Sequence, residues 1–337
     1  MLFGGRKKTY RFLITPTAIN TDLYYDLSLA PAGFWSHVRS DGGDIRVFKQ
    51  DGVTPVPREV SGFDYTNHLG SLFIGTSGGT AFYVTYGNSA LTEPAPTDPY
   101  GKYAVWESAA KLVAHLEEGT GSALDSTSNQ STFINTSATS IAGKVKNGVA
   151  FGGSANLDAG NVSALDFTGA TPMTVLVWTK FSGSGARVLV GKGANMAHTA
   201  KGWSLFVTGS IYFQINGGTS FGVNELQSNT FGHYTCNDNA LHLIGLTYDG
   251  SQKDAGVIFY GDGSAKTKNA PDTNTLSLSA SNSADAIIGS QTGGGYGFNG
   301  LMDETRIYSR ALSPTEVANY YANQNNCGAF VVTGAEQ

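Results

Sequence analysis

The stretch Gly300-Leu301-Met302-Asp303-Glu304-Thr305-Arg306-Ile307-Tyr308-Ser309-Arg310-Ala311-Leu312-Ser313 constrains the fold more than any other part of the chain. It reads as a strand with polar residues planted inside it, followed at once by a helix start. Strand side chains alternate between two faces, which assigns Leu301, Asp303, Thr305 and Ile307 to one and Met302, Glu304, Arg306 and Tyr308 to the other. Glu304 and Arg306 are then neighbours on one surface and form a structural ion pair. Ser313 supplies an N-cap, Pro314 the first helical position and Glu316 the reciprocal capping carboxylate.

Composition agrees with a chain made of strands. Of 337 residues only 14% are charged, 44 are glycine and 11% are aromatic. This suits many short strands joined by tight turns, and argues against long helices or a disordered tail. A formal charge of −5 gives no electrostatic case for nucleic acid. No apolar run approaches the length needed to cross a bilayer, so membrane insertion is not expected.

After the basic cluster Arg6-Lys7-Lys8 the apolar stretch is only Phe12-Leu13-Ile14 before Thr15 and Pro16 interrupt it. That is too short for the apolar core of a secretory signal, and no small-residue cleavage site follows. Cys236 and Cys327 are the only cysteines. They form one bridge or remain two free, partly buried thiols; no disulfide framework exists.

The proline-rich run Glu93-Pro94-Ala95-Pro96-Thr97-Asp98-Pro99 reads as a semi-rigid linker. The expected organisation is a small β-sandwich over 1–92, a linker over 93–102, a larger module over 103–327 and a tail over 328–337. In the first module, Lys8 to Leu13, Tyr25 to Leu29, Ile45 to Phe48, Ser71 to Ile74 and Ala81 to Tyr86 read as strands. In the second, local propensity alone makes Ser108 to Glu118 a helix. Ile258 to Gly263 reads as a strand entering a tight hairpin.

Four pieces of the first module keep a specific order: Phe34-Trp35, Arg39 through Val47, Arg58-Glu59-Val60 with Phe63-Asp64, and Tyr83-Val84-Thr85-Tyr86-Gly87-Asn88. They resemble a domain of unknown function found directly before laminin-G-like modules in bacterial and phage proteins. The second module carries Val105-Trp106, Leu112 through Glu117, the Asp125-Ser126-Thr127-Ser128-Asn129 turn, Lys144 through Phe151, Met173 through Trp178, Leu241 through Gly250 and the 300–313 segment. Together these resemble laminin-G-like jelly rolls of the concanavalin A-like lectin and glucanase superfamily. The resemblance implies an all-β chain of two β-sandwich modules, the second a jelly roll with a short C-terminal helix. It also implies that residues 108–118 hold a strand, and that calcium bridges Asp125 and Asp303. The alternative is that Asp125 caps its own turn and Asp303 accepts backbone amides.

Most catalytic signatures are absent. Hydrolases of that superfamily place paired carboxylates on alternate positions of one strand, and no Glu-x-Asp-x-x-Glu run exists here. Gly75 to Gly79 has the letters of a nucleophile elbow but precedes another strand, so a hairpin loop is expected. Gly295 to Gly300 fits a dinucleotide fingerprint but opens a strand instead of a helix. His233, Cys236, Asp238 and His242 lie close enough in sequence for a zinc site, although His242 falls at a strand start. For sugar binding, the candidates are His198, Trp203, Tyr212, Asn216, Tyr234 and Tyr296, aromatics to stack on ring faces and polar groups for hydroxyls. Trp203 and Tyr212 also fit core positions of their strands.

The expected function is a non-catalytic virion component (tail, receptor-binding or capsid-decorating protein) located on the particle surface. Its expected partners are other virion proteins or a host surface glycan, within a homo-oligomer or a larger assembly. The alternatives are an exported bacterial surface glycan-binding protein and a glycan-cleaving enzyme.

Overall fold

The computed structural model describes residues 9–337, so the basic cluster Arg6-Lys7-Lys8 lies outside the described residues. The chain is all-β apart from short helices, and divides into two compact units. One comprises residues up to Glu107 together with Asn319–Gln337; the other is Ser108–Ala318.

In the first unit a five-stranded antiparallel sheet runs in the order Val331–Thr333, Tyr10–Pro16, Phe82–Tyr86, Arg46–Lys49, Pro55–Val56. A three-stranded sheet orders Asp22–Asp26, Leu69–Gly75 and Arg58–Asp64. Phe12, Phe34 and Tyr86 form an edge-to-face aromatic core with ring centroids 4.7–6.1 Å apart.

Several expectations are corrected here. The strand expected over Tyr25 to Leu29 ends at Asp26, whose carboxylate accepts the Ser28 amide and starts a 3-10 turn over Leu27–Leu29. The Gly75 to Gly79 loop joins strands of two different sheets and is no hairpin. Residues 328–337 are no tail: Val331–Thr333 pairs with Tyr10–Pro16 as an edge strand, and Glu336 accepts the Tyr86 hydroxyl at 2.6 Å. The proline-rich run is likewise tied down, because the buried Arg58 guanidinium holds Glu93 and Arg46 donates to the Thr92 carbonyl at 2.6 Å.

The second unit is a sandwich of a nine-stranded and an eight-stranded sheet. Val175, Val177, Ile244, Leu246, Met302 and Ile307 of the eight-stranded sheet meet Trp203, Leu205, Phe213, Ile215 and Leu226 of the other in one buried core. The 110–114 segment is a strand, since it pairs with the closing strand through Leu112↔Ile307, Val113↔Arg306 and Ala114↔Thr305. Tertiary pairing overrides the local helical preference. Val257–Gly261 and Ser264–Lys266 form the expected hairpin, with Asp262 at φ 53° and Gly263 at φ 75° in a two-residue turn.

The closing strand, Asn299–Tyr308, corrects the alternation expected from sequence. Met302 and Ile307 both face the core, although their positions differ in parity. The cause is a bulge: register against Met173–Lys180 shifts between Leu176 and Trp178, and Glu304 takes the left-handed conformation at φ 48°. The pair survives it. Arg306 Nη2 lies 3.0 Å from Glu304 Oε2, with both side chains fully buried, and His115 Nδ1 engages Glu304 Oε1. The helix start is also as expected, for Glu316 N donates to Ser313 Oγ at 3.2 Å and Ser313 N to Glu316 Oε2 at 2.8 Å.

Candidate functional site

On three adjacent strands of the nine-stranded sheet, Gly202–Val207, Ile211–Ser220 and Val223–Asn229, alternate residues face away from the core. One row carries Ser204, Gln214 and Gln227, and the next carries Gly202, Asn216 and Glu225. Phe206 stacks on Tyr212 at 5.0 Å beside them. Such a polar face is nevertheless buried, Gln214 fully and Glu225 to 1% exposure. Its cover is the segment 193–201, from which Asn195 and Ala200 present their carbonyls to the Gln214 and Asn216 amides.

His198 caps this arrangement. It adopts φ 57°, its Nδ1 meets Glu225 Oε1, and its ring stands edge-on to Phe221 at 4.8 Å. Phe221 is 61% exposed. Glu225 also accepts the Gly222 amide at 3.0 Å, which fixes the turn carrying Phe221. On the neighbouring edge, burial raises the pKa of Asp272 above the usual carboxylate range, while a hydrogen bond with Asn229 works the other way.

Of the six sugar-binding candidates, the structure brings His198, Tyr212 and Asn216 to this face. Trp203 lies on the opposite side, in the core, with its Nε1 donating to the Leu165 carbonyl at 2.9 Å. Tyr234 packs against the core and under the Lys266 ammonium. Tyr296 stands 47% exposed on another loop, its carbonyl accepting from Val188. Sequence reasoning missed Ser204, Gln214, Glu225, Gln227 and Phe221. A polar residue at every second position of Val223–Asn229 was the available signal.

The metal candidates separate. The Asp125 carboxylate accepts the Val113, Thr127 and Ser131 amides and the Thr127 hydroxyl, which is turn capping. Asp303 accepts the Lys144 and Val145 amides through Oδ2. Burial and the adjacent Glu304 raise the Asp303 pKa well above the ordinary value. His242 is clasped between Asp262 at 2.7 Å and Asp238 at 3.0 Å, while Cys236 faces the Gly209 carbonyl. Both cysteines are free and buried. Among the described residues no three His, Cys, Asp or Glu side chains gather as a metal cluster.

Residues 151–318 match the Laminin_G_3 family, described as the concanavalin A-like lectin/glucanases superfamily. Comparison with curated proteins gives no match. Among solved structures, the binding domain of Paraclostridial Mosquitocidal Protein 1 is similar with a TM-score of 0.49 at 16% identity, over 63% of this chain and 51% of that one. The receptor binding domain of botulinum neurotoxin C/D mosaic serotype gives 0.46 at 12%, over 64% and 51%. Domain 4 of AbnA, a GH43 extracellular arabinanase from Geobacillus stearothermophilus in complex with arabinotriose, gives 0.43 at 20%, over 63% and 98%. The match thus spans about half the length of the two toxin domains. Residues 151–318 of this chain belong to the concanavalin A-like lectin/glucanases superfamily.

Proposed function

We propose that this chain is a non-catalytic recognition protein whose jelly roll binds a glycan through the His198–Phe221 rim and the polar face beneath it. One observation carries the reading: the outward row Glu225, Gln227, Asn229 offers a single carboxylate followed by two amides. Glycoside hydrolysis needs two carboxyl groups roughly 5–9.5 Å apart. Asp272 precedes the residue paired with Gln227, and its carboxyl group is engaged by the Asn229 side chain, four residues along the strand from Glu225. Asp158, on the same sheet, is five strands from Val223–Asn229, roughly 24 Å away. A separate concavity of about 470 Å³ on the eight-stranded sheet is lined by Lys180, Asn239 and Leu301 among others, with no acid. Phe221 and His198 supply apolar surface for a sugar ring, and the amides supply hydrogen bonds to hydroxyls.

The proposed setting is the surface of a phage particle, as an adhesion or decorating component; its support is the resemblance of the first module to domains of phage and bacterial proteins. Incubation with host surface polysaccharide tests the reading. Retention on the polysaccharide without new reducing ends is expected, with retention weakened by Phe221→Ala. Release of reducing ends that stops on Glu225→Gln would overturn it. Detection of the polypeptide in purified particles by mass spectrometry tests the setting.

A further inference from the structure

Three side-chain oxygens on the polar face of the nine-stranded sheet have no hydrogen-bond partner: the amide carbonyls Gln214 Oε1 and Asn216 Oδ1, which can only accept, and the Ser204 hydroxyl, which can accept or donate. Their residues are at most 2% exposed. They also belong together, for Ser204 lies directly across from Gln214, and Gln214 and Asn216 are two apart on one strand and share a face. Native proteins leave few buried polar atoms unmatched, so three on one patch call for a polar partner.

The orientation of the two amides is not arbitrary. Gln214 Nε2 donates to the Asn195 carbonyl at 3.3 Å and Asn216 Nδ2 to the Ala200 carbonyl at 3.5 Å. Turning either amide over would set oxygen against oxygen, so both carbonyl oxygens must face away from the cover. What remains is a small field of acceptors, with Glu225 in the adjoining position across from Asn216. A carboxylated ligand would meet repulsion there, whereas sugar hydroxyls would each give a hydrogen to an oxygen that lacks one.

The cover has little apolar anchorage. Residues 195–201 contribute no buried side chain. The segment is held by polar contacts: Gly193 N to Thr292 Oγ1 and Met196 N to Gln291 Oε1, both at 3.0 Å, and the His198–Glu225 pair. Segments with few buried apolar contacts open at low free energy.

We propose that Ser204, Gln214 and Asn216 form a buried subsite for the hydroxyl groups of a neutral sugar, closed by the 193–201 segment with the His198–Glu225 pair as its latch. This rests on the glycan-binding reading above and adds the ligand class and the gate. No covalent step is involved.

The full chain is titrated calorimetrically with neutral trisaccharides (maltotriose, cellotriose, xylotriose, arabinotriose) and with acidic ones (trigalacturonate, sialyllactose). Binding of at least one neutral probe in preference to the acidic ones is expected. Gln214→Leu and Asn216→Leu should each weaken it about fivefold to tenfold, one hydrogen bond's worth. Ser204→Ala, the smallest change, should weaken it in the same direction with an unchanged melting temperature. His198→Ala, followed by stopped-flow fluorescence, should instead accelerate association several-fold even though it removes a rim contact, a sign that a purely structural role would not produce. If a neutral probe binds but the Ser204, Gln214 and Asn216 variants all bind it as wild type does, the subsite is wrong while the glycan reading stands. Preference for an acidic probe overturns the neutral-sugar assignment, and no binding to any probe at millimolar concentration overturns both.

Discussion

Replacing Glu304 by glutamine tests the centre of the second unit. Glu304 and Arg306 are both fully buried, 3.0 Å apart, and His115 holds the other carboxylate oxygen. Burial alone would raise the Glu304 pKa, but His115 and Arg306 outweigh it and depress the value to about 2. Removing one partner of a buried ion pair typically costs about 3–5 kcal/mol, because the other charge is left uncompensated. Glutamine keeps one acceptor oxygen, so the lower end, about 3 kcal/mol, is expected. For a unit of this size, with a slope on the order of 2–3 kcal/mol per molar urea, the midpoint falls by roughly 1–1.5 M. Arg306→Met should cost a similar amount, and the double variant should recover about 2 kcal/mol of the summed losses. The pH dependence has a fixed sign. A depressed carboxylate stabilises above its unfolded value near 4.5 and loses that contribution as pH falls toward about 2, so the gap between wild type and Glu304→Gln narrows in acid. Urea unfolding of the four proteins at neutral and acid pH provides the measurement. Single losses below about 1 kcal/mol that simply add would refute the reasoning.

Three further outcomes are expected. Bonds to Asp262 and Asp238 raise the His242 pKa against the opposing effect of burial, so this clasp stabilises below about pH 6.5 and weakens as pH rises through the folded value; Asp262→Asn should flatten that part of a melting-temperature profile. Gly245→Ala should destabilise by about 1–3 kcal/mol in urea unfolding, because a Cβ there would sit 2.0 Å from the Val175 carbonyl oxygen of the adjacent strand. Asp125→Ala should lower stability by about 1–3 kcal/mol through its orphaned amides, and added calcium should shift the melting temperatures of wild type and variant equally, since the carboxylate already serves the turn.

Much of the second unit was legible because its signals are local. The Ser313–Glu316 box is made between residues three apart, the Asp262-Gly263 turn between neighbours, and the Glu304–Arg306 pair across two positions of one strand. The candidate site was only half legible. Alternation says that Trp203 and Ser204 face opposite ways, as do Ile215 and Asn216, without saying which side is covered by what. His198 and Glu225 stand 27 residues apart and meet only because the 193–201 segment folds back over the sheet.

Sequence by itself determined that this chain is all-β, that its last long strand carries an internal ion pair, and that a capped helix follows. Only the tertiary structure decided that the closing strand bulges at Glu304 and turns Met302 and Ile307 to the same core. It alone also gave the final residues to the first sheet, pairing Val331–Thr333 with a strand more than 300 positions earlier. The physical reason is the same in each case. Contacts within a few residues leave a mark in the local pattern, whereas register and edge pairing depend on partners brought together by closing long loops, which no local pattern records.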